Sequence, residues 1–229
     1  MGDNRYEMSE KSGGETERSG ETLRQYEATI LALTHLALRL VRDNARLEHE
    51  KADLEHKSRM DSIIPTMLNK KGIGEVLEQR VAGGKHFAVF MIDINNFKRY
   101  NDTKGHPAGD DLLRALGEAL QQGFKRSQDI LGAVEGRIGG DEFVIIVDLS
   151  TRGGRRTSDP IEQMNNVYTF TQSLVGQMLN RDEFLEANNL GVSVAIGGAH
   201  FDPEHPVHTR ALLEQADVAM YVDKGSRGR

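Results

Sequence analysis

Between residues 22 and 60, a stretch without Pro or Gly, apolar positions recur at alternating steps of three and four. One row holds Tyr26, Leu33, Leu40, Leu47 and Leu54, and the other holds Leu23, Ile30, Ala37, Asn44 and Lys51. This heptad predicts a coiled-coil helix. Leucine in the d row with one Asn in the a row favours a parallel two-stranded form, because a buried Asn is best satisfied by its twin across a dimer axis. In that register Asp43 faces Glu48 and Glu50 faces Glu55, so the second half of the seam is weaker.

After Pro65 the heptad gives way to short apolar runs. His86 to Ile92 and Glu142 to Val147 read as buried strands, with a further strand near Val192 to Ala199. Ala108 to Phe124 reads as a helix that turns Leu112, Leu113, Leu116 and Leu120 inward, and helices are expected near Pro160–Arg181 and Thr209–Lys224. The pattern predicts an α+β domain with a mostly antiparallel central sheet flanked by helices, preceded by the coiled-coil helix. Three regions follow: a disordered tail over 1–21, a dimerisation stalk over 22–60, and the α+β domain over 61–229. The segment 150–159 (STRGGRRTSD) reads as a surface loop.

Composition narrows the function. A chain of 229 residues with 38% hydrophobic and 28% charged content suits one buried domain plus an appendage. The absence of cysteine excludes disulfides, zinc–thiolate sites and cysteine nucleophiles, and agrees with a reducing, cytoplasmic location. A net charge of -6 argues against nucleic acid as the main partner. The most apolar stretch, Ile30 to Val41, is roughly half a membrane span and contains His35 and Arg39, so no membrane span is expected.

The candidate chemistry lies in two segments. Arg137-Ile138-Gly139-Gly140-Asp141-Glu142-Phe143 sets two glycines and two carboxylates at a turn into an apolar strand. Adjacent glycines permit positive φ and close approach of backbone to phosphate. Asp93 ends the apolar run FAVFMID at a depth where an unpaired carboxylate is costly, so it needs a partner. Asp93 and Asp141, on neighbouring strand ends, make a site for Mg2+ or Mn2+, which takes few protein oxygens and leaves positions for substrate phosphate. His200, His205 and His208 cluster around two prolines and read as an incidental loop group.

The segments MIDINNFKRYNDTKGHPAGDDLL and RIGGDEFVII closely resemble the two central signatures of the GGDEF diguanylate cyclases, and ADVAMYVDK at 216–224 resembles that family's C-terminal signature. The resemblance extends from about Asp61 to the C-terminus. It implies a nucleotidyl-cyclase, palm-like fold and the condensation of two GTP molecules into cyclic di-GMP with magnesium, by a homodimer held through the coiled coil. It also implies roles. Asp93, the Ile94 carbonyl and Asp141 would hold metal, and Glu142 would be a further ligand or a base. Asn101 and Asp110 would read guanine. Lys98 and Lys224 would hold the triphosphate, with Gly139 and Gly140 letting it approach. Arg126 and Asp129 resemble the family's R-x-x-D product-inhibition motif, but the segment after Asp129 is about four residues longer than usual, so a weak or silent inhibitory site is expected. Ser62 to Lys70 keeps little of the family's opening D-x-L-T-G-L-x-N-R, and Gly225 to Arg229 replaces its closing Gly-Arg-Asn. The alternative is a non-catalytic module that binds GTP or cyclic di-GMP and signals through its coiled coil.

Overall fold

A computed structural model describes residues 7–127, 131–149 and 159–227. The chain divides into two compact units, Met1–Glu55 and His56–Arg229. The first is helical: α1 spans Glu7–Ser58. It therefore begins inside the segment expected to be a tail. The reason is local, because that segment has no Pro, is rich in Glu, Lys and Arg, and pays only about 1 kcal/mol for each Gly. Along α1, Tyr26, Leu33, Leu40, Leu47 and Leu54 are each at least 60% exposed in the single chain, rising to 68% at Leu54. These side chains form an exposed apolar row along the helix. No helix among the described residues is long and apolar enough to cross a membrane.

The second unit contains α2 (Lys70–Ala82), β1 (Phe87–Asn95), α3 (Phe97–Lys104), α4 (His106–Arg126), β2 (Leu131–Arg137) and β3 (Glu142–Asp148). These are followed by α5 (Pro160–Leu179), a 3-10 turn with the short α6 (Leu185–Asn189), β4 (Ser193–Phe201) and α7 (Thr209–Arg227). The strands form one antiparallel sheet in the order β2-β3-β1-β4. The expected α+β architecture is thus the observed one. The expected strands and helices fall on β1, β3, β4, α4, α5 and α7, whereas α2, α3 and β2 are additional.

Both faces of the sheet are covered, which explains why β1 is apolar without alternation. Ala88, Phe90, Ile92 and Ile94 pack with Leu112, Leu113, Leu116 and Leu120 of α4 on one side. Phe87, Val89 and Met91 pack on the other with Ile73 and Leu77 of α2 and Leu212, Ala216 and Met220 of α7. Each such fully buried side chain contributes roughly 1.5–3 kcal/mol. β1 is bonded on both edges, from Phe87 opposite Asp148 to Asp93 opposite Glu142, and from Phe87 opposite Phe201 to Asn95 opposite Ser193. The C-terminal end of the best-anchored strand is therefore where Asp93 stands. Between α3 and α4, Gly105 takes φ 87°, a left-handed conformation that glycine adopts without strain.

Candidate active site

The turn between β2 and β3 is held in place by main-chain and arginine contacts. Ile138 N–H donates to the Glu142 carbonyl at 3.0 Å, and Ile94 N–H donates to the Asp141 carbonyl at 3.2 Å. Arg137 spans the turn: its Nε and Nη2 donate to the Gly140 carbonyl at 3.2 and 2.9 Å, while Nη1 reaches Asp61 Oδ2 at 2.9 Å. In this pair the Arg137 and Asp61 side chains are only 10% and 9% exposed. Asp61 Oδ1 also accepts from Ile63 and Ile64 N–H, at 2.9 and 2.8 Å. Sequence reasoning missed Asp61 as a brace. An Asp just ahead of an apolar pair, able to cap the next amides, was the available signal. Asn69 caps α2 by accepting from Gly72 N–H at 3.0 Å.

The two glycines act differently from expectation. Neither Gly139 nor Gly140 has positive φ. An added Cβ at Gly139 would lie 3.1 Å from Glu142 Cδ and closer to its carboxylate oxygen, the movable end of that side chain; at Gly140 the same position is open.

The register of β1 and β3 sets Asp93 opposite Glu142, with Asp141 one residue earlier in the turn. Burial, then the Asp93 charge, pushes the Asp141 carboxyl above its usual range. Burial followed by Asp141, Asp93 and Asp217 does the same for Glu142. Asp93 meets Lys224 Nζ of α7 at 2.6 Å, which supplies the partner its depth demands. A group of carboxylates gathered closely enough that Asp93 raises both Asp141 and Glu142, and that holds an ammonium, is a site suited to a cation. Among the described residues no three His, Cys, Asp or Glu side chains close into a metal cage. Magnesium does not require one, since it binds through one or two carboxylates and completes its shell with water and substrate phosphate. Because N–H and C=O of one strand residue point to the same neighbour, the Ile94 carbonyl lies on the side of the Asp141 turn.

The expected base-reading pair lies on adjacent helices, Asn101 on α3 and Asp110 on α4. Asn101 Oδ1 is buried and has no hydrogen-bond partner. Its carboxamide occupies the space left by Gly109, where an added Cβ would lie 2.8 Å from Asn101 Cγ. Gly109 is a second residue that sequence reasoning passed over. Lys98 is exposed on α3, and Arg126 is exposed at the end of α4. Asp129 of the R-x-x-D pair and residues 150–158 lie outside the described residues. His200 lies at the far end of the sheet, its Nε2 3.1 Å from His86 Nδ1, while His205 Nδ1 is 3.2 Å from Asp202 Oδ2.

Residues 65–229 match the family model for the diguanylate cyclase GGDEF domain. The chain is 30% identical over 183 residues to diguanylate cyclase TpbB of Pseudomonas aeruginosa, covering 79% of this chain and 38% of that protein. It is 29% identical over 180 residues to diguanylate cyclase DosC of Escherichia coli, covering 76% and 34%. The chain thus spans little more than a third of these two curated relatives, 38% and 34%. Among solved structures, the coiled coil and GGDEF domain of DgcB from Caulobacter crescentus, in complex with c-di-GMP, aligns with a TM-score of 0.61 at 22% identity, over 83% of this chain and 95% of that one. That likeness is one of fold.

Proposed function

The chain belongs to the diguanylate cyclase GGDEF domain family, and on that premise we propose that it condenses two GTP molecules into cyclic di-GMP, releasing pyrophosphate. The observation that carries this reading is the meeting of Asp93, Asp141 and Glu142 at one end of the central strand pair, with two carboxyls raised above their usual range. The residues present fit a magnesium or manganese ion held by Asp93, the Ile94 carbonyl and Asp141, with Glu142 beside them. When bound, such an ion would offset phosphate charge and make a coordinated hydroxyl more acidic.

The chain's own groups do the rest. Asn101 and Asp110 bind guanine: the buried Asn101 acceptor takes one of the base's N–H donors, and the Asp110 carboxylate takes others. Lys98 and Lys224 offset triphosphate charge. Glu142, whose carboxyl burial and the neighbouring carboxylates raise above its usual range and so make more basic, accepts the proton of the attacking 3′-hydroxyl. The oxygen of that hydroxyl bonds to the α-phosphorus of the second GTP as the bond to pyrophosphate breaks, and a second such transfer closes the ring.

Each domain supplies one guanine pocket, so two domains must face each other. We assign that task to the heptad row of α1: residues 22–60 form the dimerising stalk and 61–229 the catalytic domain. Dimerisation turns a bimolecular encounter into proximity. The test is incubation of the purified chain with GTP and magnesium, with the product identified by mass. Cyclic di-GMP formed by the wild type and lost in Asp93→Asn is the expected result. GTP binding without product would leave a nucleotide-binding module and overturn the reading.

A further inference from the structure

At the free edge of β4, one carboxylate ties three elements together. Asp223, near the end of α7, accepts through Oδ1 from the Tyr168 hydroxyl of α5 at 2.9 Å, and through Oδ2 from the main-chain N–H of Ile196 in β4 at 3.0 Å. Among the described residues β4 pairs with β1 alone, and this amide points outward from the sheet and needs a partner there. α7 lies directly on β4, because a Cβ at Gly197 would run into the α7 main chain at Ala219 and Met220. The inward row of α7 is Leu212, Ala216 and Met220, and Asp223, three residues on, continues it.

The next residue is Lys224, whose ammonium meets Asp93 at 2.6 Å. Two facts make its position sensitive. The last turn of a helix lacks following amides for its carbonyls and frays readily, and a long lysine stem loses much rotamer freedom when fixed. The Asp223 contacts hold the helix turn from which Lys224 projects. We infer that Asp223 and Tyr168 are positioning residues that hold Lys224 at Asp93, and so set how tightly the triphosphate of GTP is gripped. The inference rests on the reading of Lys224 as a triphosphate-binding cation.

The affinity of a site whose competent form is only partly populated falls by that fraction. The 229-residue chain is titrated with GTP by calorimetry, and KM and kcat are measured in parallel, so binding is read even where turnover is absent. Tyr168→Phe, which removes one contact and keeps the ring, is expected to weaken GTP binding about threefold, and Asp223→Ala about tenfold, with kcat at saturating GTP little changed. Asp223→Asn, which can keep both contacts, should retain most of the affinity. In a Lys224→Ala background neither Tyr168→Phe nor Asp223→Ala should weaken binding further. Amide exchange at Ile196 should quicken in Asp223→Ala. A penalty of the same size without Lys224 would show that the latch acts elsewhere, and wild-type GTP affinity in Asp223→Ala would overturn the inference. If the wild type binds GTP but forms no cyclic di-GMP, the proposed reaction fails while the latch is still tested by the binding cycle.

Discussion

Substituting Gly109 by alanine should separate guanine binding from stability. In the structure the new Cβ would lie 2.8 Å from Asn101 Cγ, and nearer still to Oδ1. Ordinary carbon–carbon contact is about 3.5–4.0 Å, so the carboxamide must move by close to 1 Å. Hydrogen bonds occupy a range of only about half an ångström, and a shift of that size removes the contact to the base. One such bond is worth about 1 kcal/mol, roughly a fivefold rise in KM for GTP with kcat nearly unchanged. Alanine also improves a helix over glycine by up to about 1 kcal/mol, which offsets the clash and keeps the melting temperature close to that of the wild type. With Asn101→Ala already present the clash disappears, so Gly109→Ala should raise the melting temperature and leave KM where Asn101→Ala alone puts it. Steady-state kinetics and thermal melts of the two single variants and the double variant complete the cycle. A wild-type KM in Gly109→Ala would refute the argument that Gly109 makes room for the base-reading amide.

Asp141→Asn should abolish turnover yet raise the melting temperature at pH 7.5 by about 1–3 °C, since it removes a desolvated charge facing Asp93. A carboxyl whose folded pKa is raised costs stability fully above that pKa, and the cost fades as pH falls through it toward the ordinary carboxylate range. The gain should therefore vanish near pH 3; a gain independent of pH would refute the electrostatic origin. Arg137→Ala strips a buried partner from Asp61 and should destabilise the domain by about 3–5 kcal/mol, read as a loss of denaturant midpoint at unchanged slope. Deleting residues before Ser58 should leave a folded domain with little turnover at low concentration, partly recovered as concentration rises. Equal activity across a wide dilution series would show that α1 is not the dimerising element.

The strands and helices that were legible in the sequence are those with a dense apolar signal. FAVFMI and EFVIIV announce strands, and the Leu112, Leu113, Leu116 and Leu120 row announces α4. α2 was not legible because KKGIGEVLEQRVA buries only Ile73 and Leu77 as large side chains and contains two glycines, so its period is faint. β2 (LGAVEGR) has two glycines and lies at a sheet edge; neighbouring strands, more than propensity, make it a strand. Asp93 was legible as a carboxylate in need of a partner because it closes an apolar run, but that Lys224 meets it across 131 residues of chain is a product of packing α7 on β4. The glycines of the turn were legible as a pair, but neither takes the positive φ that adjacent glycines permit.

β1, the strand that carries Asp93, is hydrogen-bonded along both edges and covered on both faces. In amide hydrogen exchange, strands of this kind open only with the whole domain. Asp93 therefore has no separate loosening step of its own: its place in the site persists until global unfolding. Across from it, Lys224 belongs to a helix end, the kind of element that opens at far lower free energy. The ion pair thus joins the most slowly exchanging part of the fold to one of its most readily opened parts, so partial opening of the domain would release the cation first and leave the carboxylate where it was.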